Sequence, residues 1–270
     1  MLTAPGFVRK RKKGEKIVVI TAYDYTFARL AEQSGAIDAI LVGDSLGMVI
    51  QGHNTTLPVT LDQVIYHCTA VKRGAPDCHV IGDMPFMSYQ LSPTQALQSA
   101  GRLIKESHVD AVKLEGGIRS AEAINRIVTA GIPVMGHVGL TPQSVNLFGG
   151  HRMQGKDRES GQRILDDAKA VEEAGAYSIV LEGIPADLSK TVTEALHIPT
   201  IGIGAGPDTS GQVLVIYDLL GMDEGFNPKF LKKYDNLSQH IKTALQNYAQ
   251  DVISTKFPAK EHSVYTKAKE

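Results

Sequence analysis

Eight short, nearly continuous apolar runs punctuate this chain: Lys16 to Thr21, Ala39 to Val42, His79 to Ile81, Ala111 to Leu114, Pro133 to Gly136, Ser178 to Leu181, Pro199 to Ile203 and Val213 to Ile216. Runs of this kind suit strands covered on both faces, as in a parallel sheet, better than half-solvated strands that alternate in polarity. Helical patterns separate most of them. Ser92-Pro93 opens one through about Glu106, with Ser as N-cap and Pro at the first helical position, and Ser120 is placed to cap another that ends near Ala130-Gly131. Strands alternating with helices imply right-handed βαβ units, and about eight of them close into a (β/α)8 barrel of TIM type. An open doubly wound sheet would carry a G-x-G-x-x-G turn after its first strand, where this chain has Ala22-Tyr23-Asp24-Tyr25.

At 270 residues the chain has the length at which such a barrel is ordinarily one domain, so residues 1–270 are expected to form a single barrel with a short N-terminal segment and a loose tail after Phe257. Apolar residues at Phe230, Leu231, Leu237, Ile241, Ala244, Leu245 and Val252 predict closing helices between Pro228 and about Ser254, with a break near Asp235-Asn236. The formal net charge of -1 gives no global field for nucleic acid or an acidic membrane. The basic run Arg9 to Lys13 reads as a solvated stretch and receives no function. Cys68 and Cys78 are too few for a disulfide framework and lie outside any metal-type spacing. With no apolar leader and no stretch of about 18 apolar residues, the expected location is the cytoplasm.

Barrels of this class bind ligands where strands end and βα loops begin. The ends of the apolar runs carry Asp44-Ser45 after the second, Asp83 after the third, Lys113 and Glu115 in the fourth, His137 after the fifth and Glu182 after the sixth. Lys113 and Glu115 are two apart on a strand and share a face, and parity turns them into the barrel, away from Val112 and Leu114. A buried charge there is paired or binds something, so an ion pair and a substrate contact both remain open. Asp44, Asp83 and Glu115 bring three carboxylates to one rim without a Cys/His cluster, a hard-oxygen set that suits Mg2+, with Mn2+ or Co2+ as substitutes. Each Asp alone could equally be a helix cap. Glu182, followed by Gly183-Ile184-Pro185, is placed to act as a general base, with helix capping as the alternative. His137 opens a stretch through Gly150 that shows no helical period; Asn146 to Gly150 within it reads as a hinge. Gly202 to Gly206 reads as a tight turn with exposed backbone, phosphate binding being the weaker option.

Several stretches resemble a known family: TAYDY at Thr21 to Tyr25, VGDSLGMVIQGHNTTLPVT at Val42 to Thr60, DMPFMSY at Asp83 to Tyr89, VKLEGG at Val112 to Gly117, GHVGLTPQSVNLFGG at Gly136 to Gly150 and IGIGAG at Ile201 to Gly206. In this order, from about Thr21 to His262, they are similar to ketopantoate hydroxymethyltransferases. The resemblance implies a TIM-type barrel of the phosphoenolpyruvate/pyruvate superfamily. It also implies transfer of a hydroxymethyl group from 5,10-methylenetetrahydrofolate to 3-methyl-2-oxobutanoate, giving 2-dehydropantoate through a Mg-stabilised enolate in pantothenate biosynthesis. It assigns Asp44, Asp83 and Glu115 to Mg2+, directly or through water, Ser45 and Lys113 to the oxo acid, with Asp44 and Asp83 lining the same substrate site, and Glu182 to the base; His137 is read as orienting or protonating a reacting oxygen. A homo-oligomer, often a decamer, belongs to the same implication. The basic run at Arg9 to Lys13, Gly183, His151 and the extension Thr266 to Glu270 depart from the pattern without replacing an acid, base or ligand. Two rival readings keep the rim: a lyase or mutase of the same superfamily acting on another oxo acid, and a sensor that binds without chemistry.

Overall fold

The computed structural model describes residues 2–266. Each apolar run forms a strand: β1 (Ile17–Thr21), β2 (Ala39–Val42), β3 (His79–Asp83), β4 (Ala111–Lys113), β5 (Val134–Gly139), β6 (Ser178–Glu182), β7 (Thr200–Ile203) and β8 (Gly211–Leu214). They pair in parallel in chain order, and β8 returns to β1 through Ile17↔Gly211 and Ile20↔Leu214, which closes the barrel. One buried cluster takes a residue from every strand, among them Val19, Leu41, Ile81, Met135, Val180 and Val213. Burial on both faces explains why the runs are apolar throughout, as in Ala39–Val42, where every residue is buried. The helix Pro93–Ser107 starts where the sequence says it does, with the Ser92 side chain accepting from the Gln95 amide and Pro93 at the first position.

The chain divides into two compact units, Met1–Ile216 and Tyr217–Glu270. The first contains all eight strands. The second contains the helix Leu237–Ile253 and a short 3-10 turn, Lys260–His262, where the Phe257 ring lies 5.7 Å from Tyr248 and 5.2 Å from His262. Residues 228–236, expected to begin a helix, are non-helical. Of the tail expected to be loose and of the Thr266 to Glu270 extension, residues 267–270 lie outside the described residues.

Four local expectations are corrected. Asp83 and His137 are not in loops after their strands: β3 runs on to Asp83 and β5 to Gly139, because the ladder continues past the last aliphatic residue as Asp83↔Lys113 and Gly139↔Glu182. Ser120 stands at the N-cap position of the helix Ala121–Thr129 but makes no side-chain cap; its hydroxyl donates to the Glu115 carbonyl instead. The stretch after β5 is not without helix, since Pro142–Ser144 forms a 3-10 turn and Val145–Phe148 one α-turn closed by Gly149. Finally, the basic run is not merely solvated. It ends the helix Ala4–Lys12, in which Lys10 pairs with Asp38 at 2.6 Å and the Arg11 guanidinium donates to the carbonyls of Thr193 and Leu196.

Candidate active site

Seven side chains singled out in the sequence, Asp44, Ser45, Asp83, Lys113, Glu115, His137 and Glu182, sit at the C-terminal rim of the barrel. The strands deliver them: Asp83 and Glu182 are the last residues of β3 and β6, Lys113 ends β4, and Asp44 and Glu115 follow β2 and β4 by two residues. Asp83 and Lys113 face each other across the β3–β4 ladder, so their side chains meet, with Oδ1 and Nζ 2.7 Å apart and both groups almost fully buried. Asp83 Oδ2 accepts from the Asp44 amide at 3.0 Å, tying the second loop to the third strand. Only a glycine fits at position 139, where φ is +96° and a Cβ would stand 2.3 Å from the Glu182 carbonyl oxygen. That close approach brings His137 beside Glu182: Nε2 lies 3.3 Å from Glu182 Oε2, and Nδ1 lies 3.5 Å from Lys113 Nζ and 3.6 Å from Glu115 Oε1. The imidazole therefore stands between the Lys113–Glu115 side of the rim and Glu182.

Sequence reasoning passed over three uncharged residues that hold this cluster. The Gln143 side-chain amide is fully used: Nε2 donates to Asp44 Oδ2 at 2.9 Å and to the Met84 carbonyl at 3.0 Å, while Oε1 accepts from Tyr89 Oη at 2.7 Å and from Gln90 Nε2 at 3.0 Å. Its backbone N–H donates to Glu115 Oε2 at 3.1 Å. Tyr89 Oη accepts from the Glu115 amide at 3.1 Å, and Tyr23 Oη is 2.8 Å from Ser45 Oγ. All three lie inside the stretches TAYDY, DMPFMSY and GHVGLTPQSVNLFGG, but no charge marked them.

Burial and crowding set the electrostatics. Burial, then the Asp83 charge, push Asp44 up to about 7 against the opposing pull of Lys113 and of the Gln143 amide. Burial lifts Glu115 well above the usual carboxylate range; Lys113 opposes this, and Asp44, Asp83 and Glu182 reinforce it. For Lys113 burial works against the charge, but Asp83, Glu115 and Asp44 outweigh it and hold the proton more tightly than in a free lysine. Three carboxylates thus share one buried ammonium group. Among the described residues no three His, Cys, Asp or Glu groups stand close enough together to hold a metal ion as they are placed. The donor set nonetheless fits a hard divalent cation: all oxygen, two negative charges in excess of Lys113 when ionised, and in Glu115 Oε1 a buried oxygen without a hydrogen-bond partner.

The remaining sequence features are structural at this level. Gly204 and Gly206 have φ of +60° and +77° and turn the chain between β7 and β8. Among the described residues no helix is long and apolar enough to cross a membrane.

The ketopantoate hydroxymethyltransferase family model matches residues 1–260. Curated relatives include the 3-methyl-2-oxobutanoate hydroxymethyltransferase of Heliobacterium modesticaldum, 53% identical over 97% of this chain and 95% of that protein. The enzyme of the same name from Leptospira interrogans is 54% identical over 95% of this chain and 97% of its own length. Among solved structures, 2,3-dimethylmalate lyase, a PEP mutase/isocitrate lyase superfamily member, superposes with a TM-score of 0.65 at 17% identity, covering 97% of this chain and 92% of its own. A phosphonopyruvate hydrolase solved with oxalate and Mg++ gives a TM-score of 0.61 at 13% identity, over 96% and 93%. At such low identity these structures speak for the barrel alone.

Proposed function

The chain belongs to the ketopantoate hydroxymethyltransferase family and is an enzyme that transfers a hydroxymethyl group to 3-methyl-2-oxobutanoate, and we propose that it does so at the rim built around Lys113, with 5,10-methylenetetrahydrofolate as the one-carbon donor and a divalent cation, Mg2+ first, as cofactor. The single observation that carries this reading is the juxtaposition of the Asp83–Lys113 pair with Glu115 on one side of His137 and Glu182 on the other. Asp44, Asp83 and Glu115 would hold the ion. When bound, it supplies positive charge next to the ketone oxygen of the oxo acid and makes the proton on carbon 3 more acidic.

The protein's own groups do the rest. Lys113, kept charged by its three carboxylates, pairs with the negative charge of the oxo acid, and the Ser45 hydroxyl, fixed by Tyr23, offers a hydrogen bond to it. Glu182 takes the carbon 3 proton; it is a reachable base because its side chain keeps 22% of its accessible surface while the groups around it are buried. The C–H electron pair becomes the new C–C bond to the methylene carbon. One water supplies the hydroxyl to that carbon as its two C–N bonds to the folate break, the carbon 3 proton and one proton of the water end on the two folate nitrogens, and tetrahydrofolate leaves. His137, within 3.3 Å of Glu182 and facing Lys113, orients the base and can relay a proton to a reacting oxygen.

Metal removal tests the cofactor reading. Turnover is expected to vanish in excess chelator and to return with Mg2+; full turnover in excess chelator overturns it.

A further inference from the structure

Gln143 carries no charge, is 6% exposed and donates to two of the three rim carboxylates from two different groups. Its side-chain Nε2 reaches Asp44 Oδ2 at 2.9 Å, and its backbone N–H reaches Glu115 Oε2 at 3.1 Å. The second donor is available because Gln143 stands in the opening of the 3-10 turn Pro142–Ser144, where the first N–H groups have no partner within the turn. The turn is tied down at Ser144, whose amide donates to the Thr141 carbonyl at 2.8 Å and whose hydroxyl accepts from Arg119 at 2.9 Å.

The side-chain amide has one allowed orientation. Oε1 accepts from Tyr89 Oη and Gln90 Nε2, while Nε2 donates to the Met84 carbonyl as well as to Asp44. Turned over, the amide would set its oxygen against a carboxylate and a carbonyl and its NH2 group against the NH2 group of Gln90. The donor side of Gln143 is therefore fixed on Asp44.

Each of these bonds commits a carboxylate oxygen. Asp44 Oδ2 and Glu115 Oε2 are held by Gln143, Asp83 Oδ2 accepts from the Asp44 amide, and Asp83 Oδ1 lies 2.7 Å from Lys113 Nζ. Asp44 and Glu115 are left one further oxygen each to give, in Glu115 the buried and unpartnered Oε1. A carboxylate with one oxygen committed binds an ion through the other alone. Mg2+ suits that supply, because it is held at about 2.0–2.1 Å by one or two carboxylates and keeps several waters, whereas Ca2+ gathers about 6–8 oxygens at about 2.3–2.6 Å, often from both oxygens of a carboxylate.

We infer that Gln143 is a positioning residue that sets the choice of cation: by holding one oxygen of Asp44 and one of Glu115 it confines both carboxylates to monodentate binding and so selects Mg2+ against Ca2+. The inference rests on the reading that this rim holds a divalent cation.

Titration calorimetry of the full-length protein, stripped of metal and in the presence of 3-methyl-2-oxobutanoate, with MgCl2 and separately with CaCl2, gives the ratio of the two Kd values without turnover. The parent is expected to bind Mg2+ more tightly. Gln143→Met keeps the length of the side chain and the backbone donor to Glu115 but frees Asp44 Oδ2, and it is expected to shift the ratio towards Ca2+ about tenfold, the scale of a hydrogen bond to a charged group. Loss of a merely structural contact would weaken both ions alike, or lower the melting temperature alone, and leave the ratio where it was. Gln143→Asn, which keeps the amide but falls one methylene short of Asp44, should shift the ratio the same way and decides the case if Gln143→Met does not fold. A parent that prefers Ca2+, or an unchanged ratio in a folded variant, overturns the inference and leaves the cation site standing. A parent that binds neither ion overturns the cation reading and the inference with it.

Discussion

Strand β3 begins at His79 and ends at Asp83, and β6 is preceded by Tyr177 and ends at Glu182. The same strands therefore bury polar groups at both ends of the barrel, under opposite terms. At the N-terminal end His79 Nε2 lies 3.0 Å from Tyr177 Oη, and the Phe7 ring closes over both, edge-on to Tyr177 with centroids 5.3 Å apart. Burial drives His79 down to about 4, so the ring is neutral and its hydrogen bond is made inside the protein. At the C-terminal end three carboxylates crowd one lysine, Glu115 Oε1 is left without a partner, and Asp44 and Glu115 are held against their preference to ionise. A polar cluster that serves only the fold can be satisfied within itself. A cluster that holds an ion and a charged substrate, as proposed for this rim, would stay incomplete until they bind, at a cost in stability.

Breaking the ion pair at the open end should give the largest combined effect. Lys113→Met keeps the length of the side chain but leaves Asp83 buried without its counter-charge, and a loss of about 3–5 kcal/mol in stability is expected. The KM for the oxo acid should rise by about tenfold or more. Melting curves and steady-state rates measured together decide the case: a stability loss with unchanged kinetics would make Lys113 a purely structural partner.

At the closed end Phe7→Ala should cost a comparable amount, about 3–5 kcal/mol, through the cavity left under His79 and Tyr177, but with kcat and KM intact. Altered substrate kinetics at a temperature where this variant is fully folded would show that the two ends are not independent. Smaller still is the pH effect of His79. Its folded pKa of about 4 lies below the ordinary value of 6.5, so the unfolded chain binds more protons between the two. Stability from this group is fully present above pH 6.5 and is lost as the pH falls towards 4, by about 3 kcal/mol at most. Denaturant titrations across this window should show a steeper loss in the parent than in His79→Gln; parallel curves would mean that His79 is not held neutral.

The contrast also explains what the sequence could and could not disclose. Buried parallel strands are written as continuous apolar runs, so β2 was legible to the residue and the barrel followed from the repeat. The ends were harder, because a strand that carries Asp83 or His137 to the rim keeps its ladder while losing its apolar signature. Charged residues were readable at the rim since a buried Lys113 or Glu115 needs an explanation. Gln143, Tyr89 and Tyr23, which position those charges, carry none, and nothing in their spacing separates them from ordinary loop polar residues. The plug at the other end was hidden for a different reason: in the helix Ala4–Lys12 only Ala4, Gly6 and Phe7 are buried, too few for a period, and the RKRKK run masks them.

Proton exchange at carbon 3 of 3-methyl-2-oxobutanoate tests the central claim, that the open end is a site of enolisation with Glu182 as its base. In heavy water with Mg2+ and no folate, proton NMR should show the methine signal disappearing in the parent protein. Glu182→Gln, which keeps the shape but not the proton acceptor, should slow that loss by about 10²–10⁴-fold while still binding the oxo acid. Exchange at the parental rate in a folded, substrate-loaded Glu182→Gln protein would contradict the account and move the base elsewhere on the rim, to His137 first.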